Sequence, residues 1–257
     1  MSEKLDKLKF TLKEMKSVAV AYSGGVDSTF LLYEAQKVLG KNAVGILNIS
    51  PINSTRSIQS ARDTARKIGA DIIEISVINN KLKMNPHNRC YICKKSMMLE
   101  IKKIAEALDI EHVAEGSIAD DDPSLRPGMK ALEELGVLSP LKDVGLTKKE
   151  IRVLSAEAGL PTANDVSGTC LMTRIPFGVE VSDEKLKAIE KAEEVLFSLG
   201  IFNQRVRFHE DLARIEVSCD LLENVVAHRE YISCEFKKLG FRYICLDLEG
   251  YRSGSMN

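Results

Sequence analysis

The sequence predicts a doubly wound, parallel α/β fold followed by a smaller α+β domain. In the first half of the chain, short apolar runs alternate with segments of helical periodicity, which is the pattern of a parallel sheet with crossover helices. After residue 180 the order changes to a long helix, an alternating hairpin pattern, a second helix and a final strand. We therefore place the domains at 1–178 and 179–257.

The elements of the first domain follow from apolar spacing. Four short apolar runs are expected to be buried strands: 17–22, 43–49, 71–77 and 111–115. Three segments have apolar residues at helical spacing: 29–39, 54–68 and 94–108. Thr147 and Glu150 have the spacing of a capping box, which predicts a helix from there to residue 158.

The second domain shows a different pattern. Ser182 is expected to cap a long helix that ends before Gly200. Residues 204–217 alternate on either side of a polar turn, which predicts a β-hairpin. A helix over 221–239 and a strand over 241–248 complete the domain.

Composition limits the classes of function. Of the 257 residues, 44% are hydrophobic and 28% are charged, as in ordinary globular domains. The sequence has no apolar run long enough for a transmembrane helix, and its charged N-terminus lacks the apolar core of a signal peptide. We expect a cytoplasmic protein with no membrane partner. The net charge of -1 and the absence of Trp argue against a general affinity for nucleic acid.

The strongest local signal is the run Ser23, Gly24, Gly25, Val26, Asp27 and Ser28, between the first strand and the first helix. Backbone N–H groups in such a loop, together with a helix N-terminus, bind anions. The run lacks the Walker A pattern and the dinucleotide fingerprint. It is similar to the SGGxDS loop of PP-loop ATP pyrophosphatases, which implies their fold and cleavage of ATP to AMP and pyrophosphate. The alternative is a glycine-rich turn without a ligand.

Cys90 and Cys93 form a CxxC pair that we expect in a loop opening a helix, near Arg89, Lys94 and Lys95. Positive charge and a helix N-terminus would stabilise their thiolates. Such a pair serves as a redox couple, as half of a zinc site or as part of an iron–sulfur site. The sequence has no second CxxC and no HxxxH to complete four zinc ligands.

Cys170 is the natural third ligand of an iron–sulfur site, in a segment expected to be irregular. Three cysteines leave one iron of a [4Fe-4S] cluster without a protein ligand, and that iron can hold a hydrosulfide as a sulfur carrier. The alternative is that Cys90 and Cys93 are an inert pair of thiols.

Arg205 and Arg207 alternate with Val206 and Phe208, so the two arginines share one face of the predicted hairpin. Guanidinium groups bind phosphate and carboxylate through paired hydrogen bonds. Spacing alone favours the alternative, in which both arginines lie on a solvated face.

Motifs along nearly the whole chain resemble the LarE family of nickel-pincer cofactor synthesis enzymes. Besides SGGVDS at 23–28, they are EGSIADD at 115–121, RPGMKA at 126–131, SPL at 139–141, GLTKKEIR at 145–152, GLPT at 159–162, CLMTRIPFG at 170–178 and RVRFHEDLARIEV at 205–217. Their combination is specific, whereas any one of them alone is not.

The resemblance implies an ATP-dependent sulfur transferase. The family adenylates a carboxylate of a pyridinium dicarboxylate mononucleotide, releases pyrophosphate and replaces AMP by sulfur. In one branch a single cysteine, which matches Cys170, is a sacrificial sulfur donor. In the other branch a CxxC and this cysteine hold a [4Fe-4S] cluster. Because Cys90 and Cys93 are present, the chain resembles the cluster branch, with sulfide or another sulfur donor as a partner and a homo-oligomer as its assembly.

The same resemblance implies roles for charged residues. Arg205 and Arg207 would bind the substrate phosphate, with Arg174 near the reacting carboxylate. Mg²⁺ would accompany ATP and stabilise the departing pyrophosphate, and its candidate ligands are Asp27, Asp120 and Asp121. The predicted catalytic residues are Cys170, Asp27 and Arg174.

Three rival functions share part of this pattern. A PP-loop tRNA thiolation enzyme also uses three cysteines, but it activates a base carbonyl. An amidotransferase or NAD synthetase shares the loop and does not need the three cysteines. A non-enzymatic nucleotide or iron–sulfur sensor would release no pyrophosphate.

Overall fold

The computed structural model describes residues 1–122, 126–165, 168–252 and 256, and the chain divides into two compact units. The first unit comprises Met1–Asn80 and Asn88–Gly168, and the second comprises Lys81–His87 and Thr169–Asn257. The predicted boundary near residue 178 therefore falls inside the second unit. Within the described ranges, no helix is both long and apolar enough to cross a membrane.

The first unit is built on a four-stranded parallel sheet with the order β3-β2-β1-β4. Its strands are β1, Val18–Tyr22; β2, Ala43–Asn48; β3, Ile72–Ile75; and β4, His112–Ala114. These strands confirm the four predicted ones. β2 is buried along its whole length, as expected for a strand covered on both faces.

Helices of the first unit pack on both faces of the sheet. They are α1, Ser2–Met15; α2, Val26–Leu39; α3, Thr55–Ile68; α4, Arg89–Ala107; α5, Gly128–Leu135; α6, Pro140–Asp143; and α7, Lys148–Glu157. Successive residues of β1 point into two separate cores: Val18 packs with residues of α1 and α2, whereas Ala19 packs with residues of α4. The doubly wound fold is thus confirmed, and so is the capping box of α7.

Two features of the first unit differ from the sequence prediction. α1 was not expected, although it buries Leu8, Leu12 and Met15 at helical spacing. α4 begins at Arg89 rather than at residue 94. Cys90 and Cys93 therefore lie in the first turn of a helix and not in a loop.

The second unit has a mixed three-stranded sheet with the order β5-β6-β7. Its elements are α8, Asp183–Ser198; β5, Arg205–His209; β6, Leu212–Glu216; α9, Leu222–Ala227; α10, Arg229–Lys238; and β7, Tyr243–Leu246. β5 and β6 form the predicted antiparallel hairpin, and β7 pairs parallel to β6. Ser182 caps α8 as predicted. The helix predicted over 221–239 is instead two helices, α9 and α10, which meet at His228.

Asn85 explains why Lys81–His87 belongs to the second unit. Its side-chain amide is fully buried and donates hydrogen bonds to the carbonyl oxygens of Ile175 at 2.7 Å, Pro176 at 3.0 Å and Met172 at 3.4 Å. The backbone carbonyl of Asn85 accepts a hydrogen bond from the backbone N–H of Gly178. Asn85 therefore fixes the irregular segment that follows Cys170.

We expect Asn85→Asp to destabilise the second unit by about 2–4 kcal/mol, because the donor is lost and a carboxylate faces buried carbonyl oxygens. Urea unfolding followed by circular dichroism measures the change. Asn42→Asp, at an exposed position of the first unit, is the control and should shift stability by less than about 0.5 kcal/mol. Equal midpoints for the two variants would contradict this role of Asn85.

Candidate functional site

The glycine-rich loop lies at the carboxyl end of β1, directly before α2. The strand order changes direction at this strand, because β2 and β3 extend to one side of β1 and β4 lies on the other. In open α/β sheets, ligands bind at such a switch point. The topology therefore places the predicted nucleotide loop where a ligand site is expected.

Hydroxyl groups hold the loop in shape. The Ser28 hydroxyl accepts from the backbone N–H of Ser23 at 3.2 Å, lies 3.0 Å from the Ser23 hydroxyl, and donates to the Gly25 carbonyl at 3.2 Å. The same carbonyl accepts the Thr29 N–H at 2.9 Å, which starts α2. The loop backbone is thus organised at a helix N-terminus, the arrangement that binds phosphate.

Gly24 is required by a close approach of two backbones. Its φ is +77°, and a Cβ there would lie 2.5 Å from the Cβ of Ala61 in α3. Tyr22 anchors the same point of α3, because its hydroxyl donates to the Ala61 carbonyl at 2.9 Å. Burial in this position raises the pKa of Tyr22 to about 12, so the phenol remains a donor at neutral pH.

Asp27 meets a lysine that the sequence prediction missed. Lys148, the first residue of α7, donates from Nζ to Asp27 Oδ2 at 2.5 Å and from its backbone N–H to Asp120 Oδ2 at 2.6 Å. Asp27 Oδ1 is buried and has no hydrogen-bond partner among the described residues. A buried carboxylate oxygen without a donor fits a cation ligand, so Asp27 is suited to Mg²⁺.

Asp121 has a structural contact of its own. Its Oδ2 accepts from Arg126 Nη1 at 2.8 Å and from the Ile118 N–H at 3.1 Å. Asp120 likewise accepts the first N–H of α7. Of the three candidate Mg²⁺ ligands, Asp27 is the one with a buried acceptor that remains open within the described chain.

Glu115 connects α4, the helix of Cys90 and Cys93, to the glycine-rich loop. Its carboxylate accepts from Lys94 of α4 at 3.4 Å, from the Ser117 N–H at 2.8 Å and from the Ser139 hydroxyl at 2.9 Å. Burial raises the pKa of the Glu115 carboxyl. The charge of Lys94 and these hydrogen bonds together lower the pKa by more, so the net pKa lies below its ordinary value. The next residue, Gly116, lies so close to Ser28 that a Cβ would be 3.0 Å from the Ser28 nitrogen.

Cys90 and Cys93 lie one turn apart at the start of α4, with Cys90 exposed and Cys93 partly buried. The lysines expected beside their thiolates have carboxylate partners instead: Lys94 pairs with Glu115, and Lys95 pairs with Glu134 at 2.6 Å. The described residues contain no group of three or more His, Cys, Asp or Glu side chains placed to hold a metal ion. The CxxC spacing fits two ligands, and the three-cysteine cluster stays a prediction.

Cys170 belongs to the second unit, where its backbone is held firmly. Its carbonyl accepts hydrogen bonds from the Thr173 hydroxyl at 2.8 Å and from Arg174 Nη1 at 3.1 Å. Arg174 also forms a two-point ion pair with Glu193 of α8, at 2.8 and 3.1 Å. The predicted catalytic arginine therefore fixes the segment that carries the predicted sulfur-transfer cysteine.

Arg205 and Arg207 of the hairpin are buried, so the solvated-face alternative is wrong. Arg174, Arg205 and Arg207 are only 3%, 9% and 4% exposed. Arg207 donates to Glu216 at 2.6 and 2.9 Å, and to the Thr173 carbonyl at 3.0 Å. Glu216, which is fully buried, also accepts from Arg214 at 2.9 Å.

Arg205 differs from its neighbours, because the described chain gives its guanidinium no carboxylate partner. It donates to the Gln204 carbonyl at 2.7 Å and lies 5.1 Å from the ring centroid of Tyr251. Burial and the nearby positive charge of Arg174 hold the pKa of Arg205 below its ordinary value. A buried cation with unused donors is suited to an anionic ligand.

Comparison with known proteins extends these observations. The NAD synthase family matches residues 2–100. The pyridinium-3,5-bisthiocarboxylic acid mononucleotide synthase of Lactiplantibacillus plantarum is 33% identical over 250 residues, which cover 96% of this chain and 91% of that enzyme. An uncharacterized protein of Synechocystis sp. is 36% identical over 100% of this chain and 98% of that protein. An uncharacterized protein of Methanocaldococcus jannaschii is 35% identical over 98% of this chain and 98% of that protein.

The parallel sheet, the loop at its switch point and the NAD synthase match define an ATP-using enzyme of the PP-loop class. The likeness to the mononucleotide synthase runs through both units. The chain therefore belongs to the LarE family, as its motifs predicted.

We expect Gly24→Ala to weaken ATP binding by at least about tenfold, which corresponds to about 1.4 kcal/mol, because the added methyl displaces the loop from α3. Isothermal titration with Mg-ATP measures the affinity. Gly69→Ala is a matched control, since Gly69 also has a positive φ but has open space around it; it should lose stability and keep its ATP affinity. Unchanged ATP binding in Gly24→Ala would argue against this loop as the nucleotide site.

Proposed function

We propose that this protein is a sulfur transferase that adenylates a carboxylate of a pyridinium dicarboxylate mononucleotide and replaces AMP by sulfur, in nickel-pincer cofactor synthesis. The observation that carries the proposal is the Cys170 segment, in which the backbone carbonyl of the cysteine accepts a hydrogen bond from the buried Arg174. The chain is also similar along its length to a bisthiocarboxylic acid mononucleotide synthase. Such a segment suits a substrate with phosphate and carboxylate groups.

In the proposed first step, a carboxylate oxygen of the substrate attacks the α-phosphorus of ATP, and pyrophosphate leaves. The loop at 23–28 holds the β- and γ-phosphates with its N–H groups. Asp27 would hold Mg²⁺, which would supply positive charge for the departing pyrophosphate. Lys148 adds a positive charge beside Asp27. The product is an acyl-AMP, whose AMP is a far better leaving group than the original carboxylate oxygen.

In the second step, sulfur attacks the acyl carbon and AMP leaves. We assign Cys170 to the sulfur-transfer step, either as a cluster ligand or as the sulfur donor itself. Arg205 and Arg207 are assigned to the substrate phosphate, and Arg174 lies near the reacting carboxylate in this proposal. Arg174 already uses its donors on Glu193 and on residues 169–173, which supports a role in holding Cys170. Within the described residues, the Arg205 guanidinium has N–H donors without a hydrogen-bond partner, which supports its assignment to the substrate phosphate.

Two sources of sulfur are compatible with this assignment. A [4Fe-4S] cluster on Cys90, Cys93 and Cys170 would supply an iron with an open coordination position. Without a cluster, the Cys170 thiolate would displace AMP to form a thioester with the substrate. Loss of the Cα proton and cleavage of the Cβ–S bond would then leave the sulfur on the substrate as a thiocarboxylate and dehydroalanine at position 170, so the enzyme would be spent. We place the cluster source in the proposal because Cys90 and Cys93 lie one turn apart at the start of α4, and Cys90 is exposed.

We expect Cys170→Ala to release pyrophosphate on addition of substrate and Mg-ATP but to form no thiocarboxylate, because adenylation precedes sulfur transfer. A pyrophosphate assay and mass spectrometry of the product measure the two steps separately. Cys219→Ala, which changes an exposed cysteine of the same unit, is the control and should form product normally. Thiocarboxylate from the Cys170→Ala protein would refute this assignment.

Iron analysis separates the two sulfur sources. Protein purified without oxygen should contain about four irons per chain with matching sulfide, and Cys90→Ala, Cys93→Ala and Cys170→Ala should each lose them. If instead the protein contains no iron after reconstitution, and one turnover leaves a chain lighter by the mass of hydrogen sulfide, Cys170 is the sacrificial donor.

A further inference from the structure

Tyr251 contacts Arg205. Of Arg174, Arg205 and Arg207, this is the one that has no carboxylate partner within the described chain. The Arg205 Cζ lies 5.1 Å from the Tyr251 ring centroid, within the range of a cation–π contact. The guanidinium also donates a hydrogen bond to the Gln204 carbonyl. The ring face of Tyr251 and the negative charge of Glu193 both act to stabilise the buried charge of Arg205.

The chain after β7 is shaped to bring Tyr251 to this position. The Gly250 N–H donates to the Asp247 carbonyl at 3.1 Å, and the Tyr251 N–H donates to the Val217 carbonyl at 2.7 Å. Gly250 has a φ of +69°, and a Cβ there would lie 2.8 Å from the Val217 carbonyl oxygen. Only glycine allows this turn without displacement, so the backbone itself directs Tyr251 toward β5.

The kind of partner matters for what each arginine can still bind. Glu193 and Glu216 neutralise Arg174 and Arg207 by accepting their N–H donors. An aromatic ring stabilises a guanidinium through its face and leaves the N–H groups at the edge of the plane unoccupied. Tyr251 therefore lowers the cost of burying Arg205 while preserving donors for a ligand.

We propose that Tyr251 is a positioning residue for substrate binding: its ring holds the plane of Arg205 so that the free edge of the guanidinium receives the phosphate of the mononucleotide. This inference rests on the proposed function, because that function assigns Arg205 to the substrate phosphate. Holding the guanidinium in its binding orientation lowers the conformational entropy lost on binding, and thus strengthens binding without entering the chemical steps.

The test compares Tyr251→Met, which keeps bulk and loses the ring, with Tyr251→Phe, which keeps the ring. Pyrophosphate release is measured against the concentration of pyridinium dicarboxylate mononucleotide at saturating Mg-ATP. We expect Tyr251→Met to raise KM for the mononucleotide about five- to tenfold, with kcat and KM for ATP within about twofold. Tyr251→Phe should restore KM to within about twofold of the natural protein.

Tyr243→Met is the matched control, because Tyr243 is exposed in the same unit and its ring lies against Arg242 rather than Arg205; it should leave all constants unchanged. The inference is overturned if Tyr251→Met leaves KM for the mononucleotide unchanged, or if Tyr251→Phe is as impaired as Tyr251→Met. Circular dichroism checks folding, and Tyr251→Leu replaces Tyr251→Met if the latter does not fold.

Arg205→Gln in the same assay separates the two levels of inference. If Arg205→Gln leaves KM for the mononucleotide unchanged, the phosphate assignment of the proposed function fails. If Arg205→Gln raises KM and Tyr251→Met does not, the phosphate assignment stands and only the positioning role of Tyr251 fails.

Discussion

The second unit depends on one electrostatic requirement: a guanidinium removed from water must have its charge compensated. Leaving one charge of a buried ion pair without its partner costs about 3–5 kcal/mol. Glu193 meets this requirement for Arg174, and Glu216 meets it for Arg207. Glu193 also accepts the backbone N–H of Val206 at 3.1 Å, so a single carboxylate joins α8, β5 and the segment of Cys170. The geometry around the cysteine is therefore a consequence of charge pairing.

The first unit depends on close backbone contacts more than on charge. Glycine at 24 allows the loop to lie on α3, and glycine at 116 allows the segment after β4 to lie on the start of α2. Glu115 accepts a hydrogen bond from Lys94 of α4, and the next residue, Gly116, lies against Ser28 of the glycine-rich loop. The short segment after β4 therefore contacts both α4 and this loop. The acidic and basic groups at the loop, Asp27 and Lys148, are then presented at the carboxyl edge of the sheet.

The sequence predicted the features that local chemistry determines. Apolar runs marked the strands of the parallel sheet, the Thr147 capping box marked α7, and the glycine-rich run marked the loop between β1 and α2. Spacing favoured a solvated face for Arg205 and Arg207, which is wrong, because alternation is identical for a buried and a solvated face. Contacts with another segment accompany the burial, such as the hydrogen bond from Arg207 to the Thr173 carbonyl. Asn85 and Lys148 were missed for the same reason: their partners are distant in sequence, at 172–176 and at Asp27. α1 was missed despite a readable apolar spacing.

The burial of these arginines also bears on the rival tRNA thiolation function. Affinity for RNA comes chiefly from basic side chains that reach a line of phosphates and exchange their counterions. Such a polyanion has almost no access to the three buried arginines, Arg174, Arg205 and Arg207. Two of them, Arg174 and Arg207, form ion pairs with internal carboxylates. Arg205 has no carboxylate partner within the described residues and lies beside the ring of Tyr251. One oriented cation matches one compact anionic group, which supports the proposed mononucleotide rather than a nucleic acid as the ligand of this site.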